Sequence, residues 1–279
     1  MSKIVSRLLT FFIGLPLVIL IVSFNWMNHL AMNLVVTVFS VLAANEFYSM
    51  LAKDNKLMPR VLILLFTGII PLSSYLFIFI NIEYQVTLWV YICEFLLILA
   101  IECFSAKTFE KSVTKIAYSL LILFYCGYLC TFISKMTTLP DATLYLWMFF
   151  LFVFICDSAA WLFGVLFGKN NRGFVAVSPN KSIAGFAGGI AGSVACGILF
   201  KVIFEDRLIC SFANIIILAL GTAFAAIVGD LIESVFKRAT NVKDSGNLIP
   251  GRGGVLDSID SILVAAPIFY IGMYFILNK

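Results

Sequence analysis

The chain has 279 residues, of which 62% are apolar and only 12% charged, with a net charge of +4. Soluble domains carry roughly 25% charged residues, so a water-solvated core is excluded. The apolar residues form runs long enough to cross about 30 Å of hydrocarbon, which takes roughly 20 helical residues per crossing.

In chain order, nine helical spans are expected at 8–23, 27–49, 61–80, 86–104, 113–134, 143–167, 183–204, 208–235 and 256–277. Segments such as Val61 to Ile80 and Leu208 to Val228 are apolar on every face, whereas barrel strands would alternate. The expected fold is therefore an all-α, polytopic integral membrane protein. Lys3 and Arg7 precede the first apolar run as in a signal peptide, but no small-residue cleavage site follows. The first helix is expected to be retained, with Asn25 to His29 forming an interfacial turn. Glu46 in the second span, with Glu94 and Glu102 in the fourth, are isolated acids expected to face the bundle interior or the interface.

Loop charge gives orientation. With nine spans, one side of the membrane keeps only Lys135, Lys201, Arg207 and Lys279 of the 19 cations, leaving 15 on the other. Cytoplasmic loops retain Lys and Arg, so the N-terminus is expected in the cytoplasm and the C-terminus outside. No linker or low-complexity segment divides the chain. A single membrane domain, 1–279, is expected, with an apolar scaffold over 1–140 and polar groups concentrated in 155–262.

Seven cysteines are scattered over apolar helices and suit the role of small hydrophobes. No His or further Cys completes a zinc set around Cys126 and Cys130, and the only histidine, His29, lies in the interfacial turn. Histidine chemistry is thereby removed.

Five acids of the polar region lie within spans: Asp157 in the sixth, Asp230 and Glu233 in the eighth, and Asp257 and Asp260 at the start of the ninth. A charge at the bilayer centre costs at least about 2.5–3.5 kcal/mol, so each needs a partner, water or a role. All five fall toward the cytoplasmic half, and each pair three residues apart shares a helix face. Two such faces are expected to converge on a hard, oxygen-liganded cation such as Mg²⁺. The loop Lys237 to Gly254 combines cations with glycines, which let backbone N–H groups approach phosphate. It lacks the GxxxxGK[ST] of a P-loop. A second basic loop carries Lys169, Arg172, Lys181 and Ser182 ahead of Gly185, Gly188 and Gly189.

Ser234, Lys237, Arg238, Lys243, Asp244, Pro250, Gly251, Gly253, Gly254 and Asp257 stand at the spacing S-x₂-K-R-x₄-K-D-x₅-P-G-x-G-G-x₂-D. This resembles the signature of the phosphatidate cytidylyltransferases, also called CDP-diacylglycerol synthases. Asp157 to Lys169, Ser178-Pro179, Lys181-Ser182 and Gly185 resemble that family too, so the likeness covers 157–260. Three positions differ: Arg252 stands where the family commonly has His, Ser258 where it has Arg, and Ala184 where it often has an acid. Arg252 can contact phosphate but cannot shuttle a proton near neutral pH.

The resemblance implies transfer of CMP from CTP to phosphatidate, giving CDP-diacylglycerol and pyrophosphate. It implies a divalent cation, Mg²⁺ or similar with room for a second, and a homodimer in a bacterial inner membrane with a cytoplasm-facing site. Asp230 and Asp257 are assigned to the metal, with Glu233 and Asp260 auxiliary; Lys243 and Asp244 join Asp230 and Asp257 in the catalytic set. Asp157, Lys181, Ser182, Ser234, Lys237, Arg238, Arg252, Gly253 and Gly254 are assigned to substrate. Membrane lipid is an expected partner and nucleic acid is not. A CTP-dependent polyprenol- or phytol-type lipid kinase shares this physical logic. An ion-coupled transporter fits less well, because no internal repeat is present and the polar groups gather on one side. The D-x₂-D-G-x₂-A-R motif of the CDP-alcohol phosphotransferases is absent, Asp260 being followed by Ser261.

Overall fold

The computed structural model describes residues 3–82, 85–208, 210–249, 251 and 253–277, with side chains from residue 12 onward. The helices are α1 (Lys3–Ser23), α2 (Trp26–Leu51), α3 (Arg60–Phe79), α4 (Val86–Ser105), α5 (Ser112–Ile122), α6 (Thr131–Met136), α7 (Ala142–Phe167), α8 (Ile183–Ile203), α9 (Phe212–Ala239) and α10 (Leu256–Leu277). A π-helical turn, Leu123–Tyr128, joins α5 to α6. No strand occurs among the described residues, apart from isolated bridges at Arg172 with Ser182 and Ile249 with Gly253.

In hydrocarbon every backbone N–H and C=O must be satisfied within the segment, and apolar helices do this. Eight helical segments among the described residues are long and apolar enough to cross a bilayer, α5 to α6 counting as one segment from Ser112 to Met136. The chain is an all-α, multi-pass membrane protein. The described apolar part of α1, Phe12–Ser23, is shorter than a crossing.

Two boundaries carry information. Met27, Asn28 and His29 adopt left-handed φ values of 48°, 54° and 57° inside α2, so the chain turns there before the long helix proper begins. The expected turn is thus present, although His29 within it is buried. At the other end of the chain, Lys237 and Arg238 were expected in a loop but occupy the last turn of α9. Cations at a helix C-terminus interact favourably with its dipole, and the helix stops beyond them, where Asn241 takes φ 52°.

The chain forms two compact units, Met1–Thr138 with Ala239–Ser258, and Leu139–Arg238 with Ile259–Lys279. In the first, Phe47, Met58, Ile63, Ile70 and Ile122 are fully buried. Tyr75 Oη donates to the Met27 carbonyl at 2.9 Å and pins the turn before α2. Ser40 Oγ donates to the Cys126 carbonyl at 2.7 Å, taking up an oxygen within the π-helical turn. Glu46, Glu94 and Glu102 all face inward and are buried. Glu102 is matched by Lys115 Nζ at 2.5 Å and Ser112 Oγ at 2.6 Å, whereas neither oxygen of Glu94 has a hydrogen-bond partner among the described residues. Cys93 and Cys103 lie exposed on α4, unlike the buried Cys126, Cys130 and Cys156.

In the second unit, α7 and α8 pack so closely that a Cβ on Gly185 would stand 2.8 Å from the Ala160 carbonyl oxygen. One on Gly189 would stand 3.0 Å from that of Cys156. Small residues allow this backbone approach within a membrane. Phe149 and Phe152 on α7 pack on Phe269 of α10, with ring centroids 5.3 and 6.0 Å apart. Lys201 is buried and donates to the Leu208 carbonyl at 2.7 Å, closing the turn between α8 and α9.

Candidate functional site

Within the second unit the sequence-expected residues gather at one end of α7, α8, α9 and α10. The loop from Gly168 to Ser182 is folded rather than open. Asn171 Nδ2 donates to the Phe167 carbonyl at 3.1 Å, while its Oδ1 accepts the Ala184 N–H at 3.3 Å. Ser182 ends this loop as the N-cap of α8, its Oγ accepting the Gly185 N–H at 3.0 Å. These contacts fix the base of Lys181, whose Nζ lies 2.5 Å from Asp230 Oδ2 on α9. Arg238 Nε donates to the Val177 carbonyl at 3.4 Å, tying the same loop to the end of α9.

One turn beyond Asp230, Glu233 is completely buried and pairs with Lys237. Ser234 beside it is also buried. Helix α10 approaches α9 at Gly229, where an added Cβ would stand 2.5 Å from the Asp260 carbonyl oxygen. That approach brings Asp260, buried and accepting the Ser261 N–H at 2.6 Å, within electrostatic range of Asp230, Glu233 and Asp157. Four carboxylates and the ammonium groups of Lys181 and Lys237 thus form one polar cluster in an otherwise apolar bundle.

The rest of the signature lies in the first unit, since the boundary between units falls at Arg238. Lys243 and Asp244 are exposed. Ile249 and Gly253 exchange two backbone hydrogen bonds, of 2.8 and 3.0 Å, which close a tight loop. Gly253 has φ 109°, a conformation open essentially to glycine, and a Cβ there would stand 2.6 Å from Asp257 Oδ2. That Asp257 oxygen accepts from the Ser245 N–H at 2.8 Å, Ser245 Oγ at 2.9 Å and the Gly254 N–H at 2.8 Å. Asp257 therefore organises the signature loop. Ser258, where the family commonly has Arg, donates to the Gly254 carbonyl at 3.1 Å. Arg252 and Pro250, both singled out in the sequence, lie outside the described residues, as does Lys279.

Two residues of this loop network have no counterpart among the expected site residues. Ser245 occupies an unspecified position of the signature spacing. Glu46, on α2, accepts the Val255 N–H at 3.0 Å, the Leu256 N–H at 2.9 Å and Ser245 Oγ at 2.9 Å. The only signal for Glu46 in the sequence is that it is an acid in an apolar span.

The expectation of a divalent cation can be set against the donor chemistry. Among the described residues, no group of three or more His, Cys, Asp or Glu side chains is arranged to hold a metal ion. Mg²⁺ usually keeps waters and is held by one or two carboxylates plus substrate phosphates, without a dedicated protein cage. The cluster around Asp230 suits that mode: its oxygens are carboxylates, it contains no imidazole, and the Asp230 side chain is 40% exposed. The residues fit a hard cation that arrives with a polyanion.

A family model described as the cytidylyltransferase family matches residues 5–276. The chain belongs to the cytidylyltransferase family. It is 40% identical over 167 residues to a phosphatidate cytidylyltransferase of Haemophilus influenzae, covering 58% of this chain and 57% of that protein. To the phosphatidate cytidylyltransferase of Staphylococcus saprophyticus it is 37% identical over 155 residues, 56% of this chain and 58% of the relative. To that of Bacillus subtilis it is 38% identical over 114 residues, 41% of each. The matches thus span between 41% and 58% of the length of these cytidylyltransferases. Membership agrees with the resemblance carried by the signature residues.

Proposed function

We propose that this member of the cytidylyltransferase family transfers CMP from CTP to phosphatidate, giving CDP-diacylglycerol and pyrophosphate. The observation that carries the proposal is the pairing of Lys181 with Asp230 and of Lys237 with Glu233 at one end of an apolar helical bundle. It is supported by the family and by the names of the relatives. Each ammonium can turn from its carboxylate to a phosphate oxygen, so the triphosphate meets cations already held in place. Asp230, with Asp157 and Asp260 close by, would hold a divalent cation, which would supply charge neutralisation to the triphosphate.

In the proposed reaction a phosphate-monoester oxygen of phosphatidate forms a bond to the α-phosphorus of CTP. The bond from that phosphorus to the oxygen bridging to the β-phosphate breaks, and pyrophosphate leaves. A phosphomonoester is already nucleophilic, so the protein's work is positioning and electrostatics. Lys181 and Lys237 would bind phosphate oxygens; Lys243 and Arg252 are also proposed to contact phosphate. Ser182 and Arg238 hold the loop that carries Lys181. Leu166, Phe167 and Ile183, which flank that loop, are exposed and apolar, suiting the acyl chains of a lipid substrate.

The test is incubation of purified protein with phosphatidate, Mg²⁺ and CTP labelled at either the α- or the γ-phosphorus. The α-label should enter the lipid and the γ-label should leave as pyrophosphate. Label from the γ-position in the lipid would make the protein a lipid kinase. No label in the lipid from either position would refute both readings.

A further inference from the structure

The carboxylate of Glu46 belongs to the apolar scaffold by sequence but to the signature loop by contact. It is buried, and both of its oxygens are engaged: Oε1 by the Val255 N–H at 3.0 Å, and Oε2 by the Leu256 N–H at 2.9 Å and Ser245 Oγ at 2.9 Å. Val255 immediately precedes α10 and Leu256 is its first residue, so a side chain 209 residues before Val255 caps that helix and meets the positive end of its dipole. Gly246 and Gly254 border the carboxylate so closely that a Cβ on either would collide with its oxygens. Ser245 Oγ stands 2.9 Å from both Glu46 Oε2 and Asp257 Oδ2 and accepts the Asp257 N–H at 3.3 Å. A hydroxyl has one proton, so Ser245 donates to one carboxylate at a time and ties the two together.

We infer that Glu46 is a positioning residue for the reaction: through Ser245 and the N–H groups of Val255 and Leu256 it holds residues 244–249 and 253–257 of the signature loop in their substrate-ready conformation. This rests on the proposed cytidylyl transfer for its kinetic consequence, but the holding of the loop is measurable without it. A plain structural acid would only support folding. A positioning acid instead controls how the signature loop presents Lys243 to phosphate.

Glu46→Gln is the informative variant, being the same size. Whichever way its amide turns, an NH₂ group faces either the Val255 or the Leu256 N–H, where an acceptor stood before. Charge-assisted hydrogen bonds of this kind are worth about tenfold or more in an equilibrium constant. Hydrogen–deuterium exchange of the purified full chain should therefore accelerate about tenfold over residues 244–257, with other helices unchanged. The KM for CTP should rise by about the same factor, while the KM for phosphatidate stays within twofold. Glu46→Asp, which keeps the charge but shortens the reach, should recover part of both effects. Glu94→Gln removes another buried acid of the same unit and should change neither.

Should Glu46→Gln fail to fold, Ser245→Ala takes its place. It removes only the bridging hydroxyl and should give the same localised exchange and the same rise in KM. Unchanged loop exchange in whichever variant folds overturns the inference. So does accelerated exchange with wild-type kinetic constants. If wild-type protein moves no CMP to lipid, the proposed reaction fails separately, and the exchange data alone decide whether Glu46 holds the loop.

Discussion

Replacing Lys237 by Met is the sharpest probe of the acidic cluster. Glu233 has no exposed side-chain surface and its ammonium partner, Lys237, is 16% exposed, so the pair is screened little by water or salt. Met keeps the length and apolar stem of Lys but removes the charge. Breaking a buried pair on one side costs about 3–5 kcal/mol, whereas replacing both partners by neutral groups is often nearly neutral. Equilibrium unfolding in mixed detergent micelles, followed by circular dichroism, should show Lys237→Met destabilised by about that amount. The double variant Lys237→Met with Glu233→Gln should recover most of the loss. Its activity should nonetheless stay low, because the proposed phosphate contact of Lys237 is still missing. A single variant as stable as wild type would show that the pair does not hold the end of α9. A double variant with full activity would remove Lys237 from the substrate.

Gly253→Ala should cost at least about 1–3 kcal/mol in the loop, because φ 109° is strained for any side chain and the new Cβ would press on Asp257 Oδ2; kcat/KM for CTP, measured on folded protein, should fall by about tenfold or more. Asp230→Asn should weaken activation by Mg²⁺ and lower turnover by orders of magnitude, and a wild-type metal titration would deny the cluster its cation. Glu94→Gln should leave stability equal or higher, since it neutralises a buried carboxylate with no hydrogen-bond partner among the described residues; clear destabilisation would expose a partner for that acid. Single cysteines at Arg172 and Asp206, in a background lacking the native seven, should be labelled by an impermeant maleimide from opposite sides of the membrane, Asp206 from outside.

The helices were legible because the bilayer imposes one solution on an apolar run, and run length alone places α3, α4, α7, α8 and α10 within a few residues. What hydropathy could not convey was where a helix ends among polar residues. Lys237 and Arg238 look like loop by composition, yet their charges suit a helix C-terminus, and α9 continues through both. The π-helical turn at Leu123–Tyr128 was equally hidden, since its freed carbonyl is taken up by Ser40 from another helix.

The site divides along the same line. Asp230, Glu233 and Asp260 could be found because charge inside a membrane is costly and therefore conspicuous, and Lys181 and Lys237 because they stand in basic, glycine-rich stretches; the structure brings them together within one unit. Glu46 is just as costly and was just as visible, but nothing in its own neighbourhood says what it is for. Its partners are two backbone N–H groups and a serine hydroxyl about two hundred residues away. Backbone donors leave no trace in a sequence, because every residue but proline carries one. A buried acid without a nearby Lys, Arg or His should therefore be asked which helix N-terminus it caps before it is set aside as a stray charge. Here that question leads from α2 to the loop whose glycines carry the family signature.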